Sequence, residues 1–222
     1  KNGIPAIKRN AFRHITEKAN SFGPSLIFSQ LIPLLMSPSL NDEERHTIIK
    51  VMNRLLIKLG SVVRPYTHKI LVAVSPMLMD ELLYVRIEGR EIISNLAKSV
   101  GMPTMISILR PDLESLDENT RSITAKCLAI VASSLGIHDF FPFLKAICQT
   151  KKNWTIRESG IKTVQQLAIL SGNGILPFLQ MIIDIIKEGI RKENEHQKVK
   201  INTALAVAAL AEASYPYGID IF

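Results

Sequence analysis

The stretch Arg121–Gly136, "RSITAKCLAIVASSLG", opens on a base, runs through two apolar stripes and stops on a glycine fifteen residues later. The same offset joins Lys8 to Gly23, Arg45 to Gly60, Arg86 to Gly101 and Arg157 to Gly172, and a sixth frame runs from Lys200 to Tyr215. Seven residues after each base stand Ile15, Met52, Ile93, Leu128, Val164 and Val207; eleven after it stand Ala19, Leu56, Ala97, Ala132, Ala168 and Ala211. Apolar positions at offsets 4, 7, 11 and 14 follow the 3.6-residue period of a helix with one face on a core. The closing glycine suits a helix C-cap, because glycine takes a positive φ without a Cβ clash. Each frame therefore predicts one helix, and the alanine column predicts close packing between neighbours.

A second apolar segment with proline near its start or inside it lies between frames: "PSLIFSQLIPLLM", "RPYTHKILVAVSPMLM", "MPTMISIL", "FFPFLKAI" and "ILPFLQMIIDII". Proline fits the first turn of a helix and bends one elsewhere, so these segments predict shorter or kinked helices. "KILVAV" (69–74) has a strand-like alternative, but it stands alone and helical spacing follows it. Successive bases are 37, 41, 35, 36 and 43 residues apart, the period of stacked helix pairs. The expectation is an all-α solenoid, a right-handed superhelix of antiparallel pairs, with 1–222 as one continuous array of about six repeats. The ends read as cut from a longer array.

Of the 222 residues, 47% are hydrophobic and 21% charged, a composition that excludes disordered and collagen-like chains. The longest apolar run, "ALAVAALA" (204–211), is far short of the roughly 18 residues that span a bilayer, so the chain is expected to be soluble. Cys127 and Cys148 lack disulfide or zinc spacing, which points to a reducing compartment. Lys and Arg number 27 against 20 Asp and Glu, a net charge of +7 that favours an anionic partner.

Enzyme-like patterns are sparse. "SGIK" (159–162) fits Ser-x-x-Lys without the companion motifs of an acyl-enzyme. His14, His46, His68, His138 and His196 are scattered without ligand spacing, so no metal and no cofactor is expected. "DEERH" (42–46) reads as a dipole-matched helix start, and the "NWT" sequon (153–155) has no role in a reducing compartment.

Val or Ile before the base ("YVR" 84–86, "TIR" 155–157, "KVK" 198–200) with proline in the preceding helix resembles the HEAT repeat. Longer runs carry a narrower resemblance: "VRPYTHKILV" (63–72), "VRIEGREIISNLAKSVGMPTMIS" (85–107), "LGIHDFFPFLKAIC" (135–148), "GIKTVQQLAIL" (160–170) and "ALAVAALAEASYPYGI" (204–219). These are similar to the family of the large HEAT-repeat subunit of splicing factor 3b, in the U2 small nuclear ribonucleoprotein, and the match covers nearly the whole chain. The resemblance implies a nuclear, non-enzymatic scaffold that holds the duplex between pre-mRNA intron and U2 snRNA, guides the downstream intron and docks other splicing factor 3b subunits and spliceosomal proteins. After "IIDII" the chain reads "KEGIRKENEHQKVK", a longer connection than the family's, which bears on the place of Lys198.

Cations that start a helix oppose its dipole and so suggest a ligand. Lys151, Lys152, Arg157 and Lys162 gather around Trp154, the only tryptophan; Lys198 and Lys200 recur one repeat later, Arg121 and Lys126 one repeat earlier. These nine residues are the RNA-binding candidates, the cations for phosphates and Trp154 for stacking on a base. The resemblance moves Arg121, Lys162 and Lys198 toward the RNA path. Two other readings compete: Trp154 packs between helices, and the column Arg45, Arg86, Arg121, Arg157 pairs with acids of the neighbouring repeat, Asp117, Glu118 or Glu158 among them. The rival functions are a nuclear transport receptor, usually with an acidic inner surface, and a phosphatase or kinase scaffold without RNA binding.

Overall fold

The computed structural model describes residues 5–37, 39–191 and 194–222, and every regular element among them is helical. The long helices α3 (Asp42–Leu59), α5 (Leu83–Val100), α7 (Glu118–Leu135), α9 (Trp154–Ser171) and α11 (Gln197–Ser214) have 18 residues each, and the repeated base is the fourth residue in all five. The shorter partners are α4 (Thr67–Val74), α6 (Met102–Leu109), α8 (Ile137–Cys148) and α10 (Leu179–Arg191). Ahead of them, α1 (Pro5–Glu17) and α2 (Ala19–Leu35) form the first repeat.

Local chemistry sets the helix limits. Four residues before the base, Asn41 accepts a hydrogen bond from Glu44 N–H, Asp117 from Asn119 and Thr120 N–H, Asn153 from Thr155 N–H, and His196 Nδ1 from Lys198 N–H. Asp117 occupies two, and the others one each, of the otherwise unpaired donors of a first turn. At the other end Gly60, Gly101, Gly136 and Gly172 have φ of 53°, 87°, 124° and 49°, a region that favours glycine. Tyr215 closes the last frame at φ −62°, where no glycine is required.

The proline-bearing segments resolve into short helices joined to 3₁₀ turns. Pro65 and Pro177 each stand five residues after a capping glycine, inside the 3₁₀ segments Gly60–Tyr66 and Gly172–Phe178. "KILVAV" lies in α4, with Ile70, Leu71 and Val74 buried and Lys69 and Val72 exposed, a helical spacing that removes the strand alternative. By length and composition Trp154–Lys187 is apolar enough to cross a bilayer, contrary to the expectation from "ALAVAALA". That stretch is broken at Gly172 into α9 and α10, both packed on α11.

The chain divides into two compact units, Lys1–Met105 and Ile106–Phe222. In the first, Ile49, Met52, Leu55 and Leu56 of α3 meet Ile92, Ile93, Leu96 and Ala97 of α5, all at most 1% exposed. In the second, the alanine and branched columns of α7 and α9 (Leu128, Ala132, Val164, Ala168) are fully buried, and α11 adds Ala206 and Leu210. Burying one such Leu, Ile or Val side chain contributes about 1.5–3 kcal/mol, so α3, α5, α7 and α9 hold their neighbours through the columns that define the frame, whereas in α11 the column residues Val207 and Ala211 are only half-buried. The chain forms the all-α helical-repeat fold of HEAT proteins.

Candidate nucleic-acid interface

Three of the fourth-position arginines, Arg86, Arg121 and Arg157, fold back onto the loop before their own helix. Arg86 Nη1 donates to the carbonyls of Asp80 (2.7 Å) and Glu81 (2.9 Å). Arg121 Nη1 donates to Ser115 O (2.8 Å) and Leu116 O (3.1 Å), and Arg157 Nη1 to Thr150 O (2.9 Å). A planar guanidinium suits this task because it satisfies loop carbonyls with one edge and keeps donors on the other. In Arg121 and Arg157 that second edge takes a carboxylate from the next repeat. Arg121 Nε and Nη2 donate to Glu158 Oε2 at 3.1 and 2.8 Å, and Arg157 Nε to Glu195 Oε2 at 2.9 Å. The Arg121 and Glu158 side chains are 3% and 0% exposed.

Glu158 anchors a wider network across α7, α9 and α11. Its Oε1 lies 3.1 Å from Lys162 Nζ and accepts from Asn202 Nδ2 at 3.3 Å. Lys162 also donates to Ser122 Oγ and Glu118 Oε1, both at 3.2 Å, while Lys198 Nζ donates to Glu118 Oε2 at 2.8 Å. Glu118 thus binds lysines from each of the next two repeats. Hydrogen bonds from Lys198 and then Lys162 hold its carboxyl down to about 2.

A carboxyl lowered in the folded state stabilises the fold above its unfolded value, and that contribution disappears as pH falls through the folded value. Stability should therefore fall between about pH 4.5 and pH 2 by an increment that is absent in Glu118→Gln. Acid titration of circular dichroism for the two proteins checks this. The same loss in both would remove Glu118 as its source.

Trp154 stacks face to face on His196, with ring centroids 3.7 Å apart and planes at 7°, and the Arg121 guanidinium carbon sits 5.8 Å from its centroid. The indole packs between the starts of α9 and α11 instead of standing open to a base. Two candidates change character: Arg121 is enclosed by Glu158 and two carbonyls, and Trp154 by His196 and Arg121. Arg157, Lys162 and Lys198 are also ion-paired, although Lys198 remains 47% exposed at its side chain. Lys126 and Lys200 are half-buried, and each has an interaction partner. Lys151 and Lys152 are exposed in the turn before α9, and no described residue pairs with them. The long connection includes residues 192 and 193, which lie outside the described residues.

Of the acids expected to pair with the arginine column, Glu158 pairs with Arg121, Glu118 pairs with Lys162 and Lys198 instead, and Asp117 caps α7. Glu195, His196 and Asn202 were not among the expected residues. One signal for His196 existed: like Asn41, Asp117 and Asn153 it stands four residues before a frame base. Among the described residues no group of three or more His, Cys, Asp or Glu side chains is placed to hold a metal ion. Burial pushes both thiols up, Cys127 to about 12, which leaves neither a nucleophile at neutral pH. Ser159 Oγ, from the Ser-x-x-Lys match, is fully buried and donates to Leu113 O and Thr155 O.

Along all 222 residues the chain is 50% identical to the U2 snRNP component prp10 of Schizosaccharomyces pombe and 45% identical to the U2 snRNP component HSH155 of Saccharomyces cerevisiae. The chain is thus similar along its whole length to a segment of two U2 snRNP components, orthologues of the large HEAT-repeat subunit of splicing factor 3b. It spans 18% and 23% of the length of these two relatives. No family model matches it.

Proposed function

We propose that this chain is part of a nuclear, non-enzymatic splicing scaffold of the U2 snRNP. In this reading it holds the duplex of intron and U2 snRNA and docks other splicing proteins, including further splicing factor 3b subunits, and 1–222 is one continuous array. The observation that carries the reading is the full-length similarity to two relatives that are both named U2 snRNP components. The net charge of +7 favours it over a transport receptor with an acidic interior.

In this reading the nine candidates have different tasks, a division that their burial and ion pairing support. Arg121, Arg157 and Lys162 hold the starts of α7, α9 and α11 in line, with Trp154 as packing between two of them. Lys151, Lys152 and the exposed ammonium of Lys198 are the groups that reach phosphate, because a solvated lysine attracts a polyanion without first leaving a buried carboxylate. Lys126 and Lys200 lie on the same helices and contribute at closer range.

Filter binding of a branch-site duplex by the full chain at two salt concentrations tests this. Lys151→Ala with Lys152→Ala should weaken binding several-fold and lower the salt slope by about 2, one for each phosphate contact. An unchanged slope would favour the rival reading, a protein-interaction scaffold whose basic residues are structural.

A further inference from the structure

Charge and exposed apolar surface are unevenly placed in the unit Lys1–Met105. Residues 1–105 hold 14 Lys and Arg against 8 Asp and Glu. Along α3, however, the exposed charges change sign: Asp42 and Glu43 stand in its first turn, and Lys50, Arg54 and Lys58 follow from its third turn on. Tyr84 hydrogen-bonds to Asp42, which sets the start of α5 beside that acidic end.

Five of the nine residues 79–87 are large hydrophobic side chains left open to solvent: Met79 (45%), Leu82 (47%), Leu83 (58%), Tyr84 (41%) and Ile87 (48%). Leu83 and Ile87 are one turn apart on one face of α5, and Glu91 continues that face as an exposed acid. Glu81 is exposed in the turn before the helix, and among the described residues neither it nor Glu91 has an ion-pair partner. The bases nearby, Arg45, Arg86 and Arg90, are half-buried, and Arg86 is occupied by the carbonyls of Asp80 and Glu81.

Single apolar residues on a surface are ordinary, whereas a cluster of them with a charged rim marks a contact for another polypeptide. The sign of the rim selects among partners. A phosphate backbone is repelled by Asp42, Glu81 and Glu91 and gains nothing from aliphatic side chains, while a polypeptide with lysine or arginine beside apolar residues matches both features. The surface is also preformed: Arg86 holds two carbonyls of the turn, and Asp80 Oδ1 accepts from Leu82 N–H at 2.9 Å, so little ordering is left for binding to impose.

We propose that Met79, Leu82, Leu83 and Ile87 form a docking surface for a basic amphipathic helix of a partner protein. Its apolar side chains pack along the Leu83–Ile87 ridge, and its lysines or arginines meet Glu81 and Glu91. The surface does not depend on the nucleic-acid reading, whose candidates lie in the other compact unit.

Methyl NMR of the full chain, titrated with a synthetic amphipathic leucine–lysine helix and with its leucine–glutamate counterpart, tests this. Saturable shifts at the Met79, Leu82, Leu83 and Ile87 methyl groups are expected with the lysine helix, at least tenfold weaker with the glutamate helix. Glu81→Lys with Glu91→Lys should reverse that preference, and Leu83→Gln with Ile87→Gln should abolish binding, each with the Tm nearly unchanged because the replaced side chains are exposed. A marked fall in Tm would show that these side chains hold the fold, and would overturn the proposal. So would an absence of shifts at these methyls, equal shifts with both helices, stronger shifts with an oligouridine than with the lysine helix, or shifts on concentrating the chain alone, the mark of self-association.

Discussion

Glu158→Ala should destabilise the chain by about 3–5 kcal/mol, the cost of breaking a buried ion pair by removing one partner. The substitution leaves Arg121 charged in an interior where its side chain is 3% exposed, and it strips an acceptor from Lys162 and from Asn202. Water cannot replace the carboxylate cheaply, because both side chains are buried. Urea unfolding followed at 222 nm measures the effect. The informative control is Arg121→Met with Glu158→Leu, which removes both charges and fills the space. That pair should recover most of the lost stability, since an apolar replacement of a buried pair is often neutral or better. A double variant as unstable as Glu158→Ala would mean that the loop carbonyls of Ser115 and Leu116, left without Arg121, carry the larger share.

Gly160→Val is the second large effect, through contact between neighbouring helices. A Cβ at Gly160 would lie 2.8 Å from Cys148 Sγ, 3.0 Å from Ile147 Cγ1 and 3.1 Å from Cys148 N, so α8 must retreat from α9. The backbone nitrogen cannot rotate away as a flexible side chain would. Overpacking of this kind costs about 1–3 kcal/mol, and Val adds two methyl groups beyond the Cβ. Thermal unfolding should show a lower Tm, and Cys148, now fully buried, should react faster with a thiol reagent. Gly174 is the contrasting site: nothing lies within 4 Å of its Cβ position, so Gly174→Ala should leave both readouts nearly unchanged. Comparable losses at the two glycines would remove close approach as the explanation.

Much of the fold was legible because its rules are one-dimensional. The fifteen-residue frame marks the long helices, and the capping glycines at positive φ end them where the periodicity stops. The proline segments were legible as helices but not as 3₁₀ turns, since proline at Pro65 or Pro177 is compatible with either until the neighbouring contacts are known. The candidate site was harder to read. Set against a helix dipole, a cation at the fourth position looks unsatisfied and therefore free for a ligand. In the fold Arg86, Arg121 and Arg157 are instead occupied by carbonyls of the loop behind them, which no spacing in the chain reveals. Glu195 and His196 belong to the same class, because their partners Arg157 and Trp154 become neighbours only once α9 and α11 are aligned. Lys151 and Lys152 are exposed because a turn before an Asn cap has few groups to bury them.

The carboxylate of Glu118 grips Lys162 and Lys198, residues 44 and 80 positions further along. Tandem folds are usually treated as chains of springs in which each module feels only the one beside it. A clasp that skips a module adds a cross-brace, so prying α7 from α9 also tugs on α11. Since one arm of the brace ends on a half-exposed ammonium, mobile ions attenuate it. The compliance of this edge is therefore adjustable by ionic strength, stiff in dilute buffer and softer in brine.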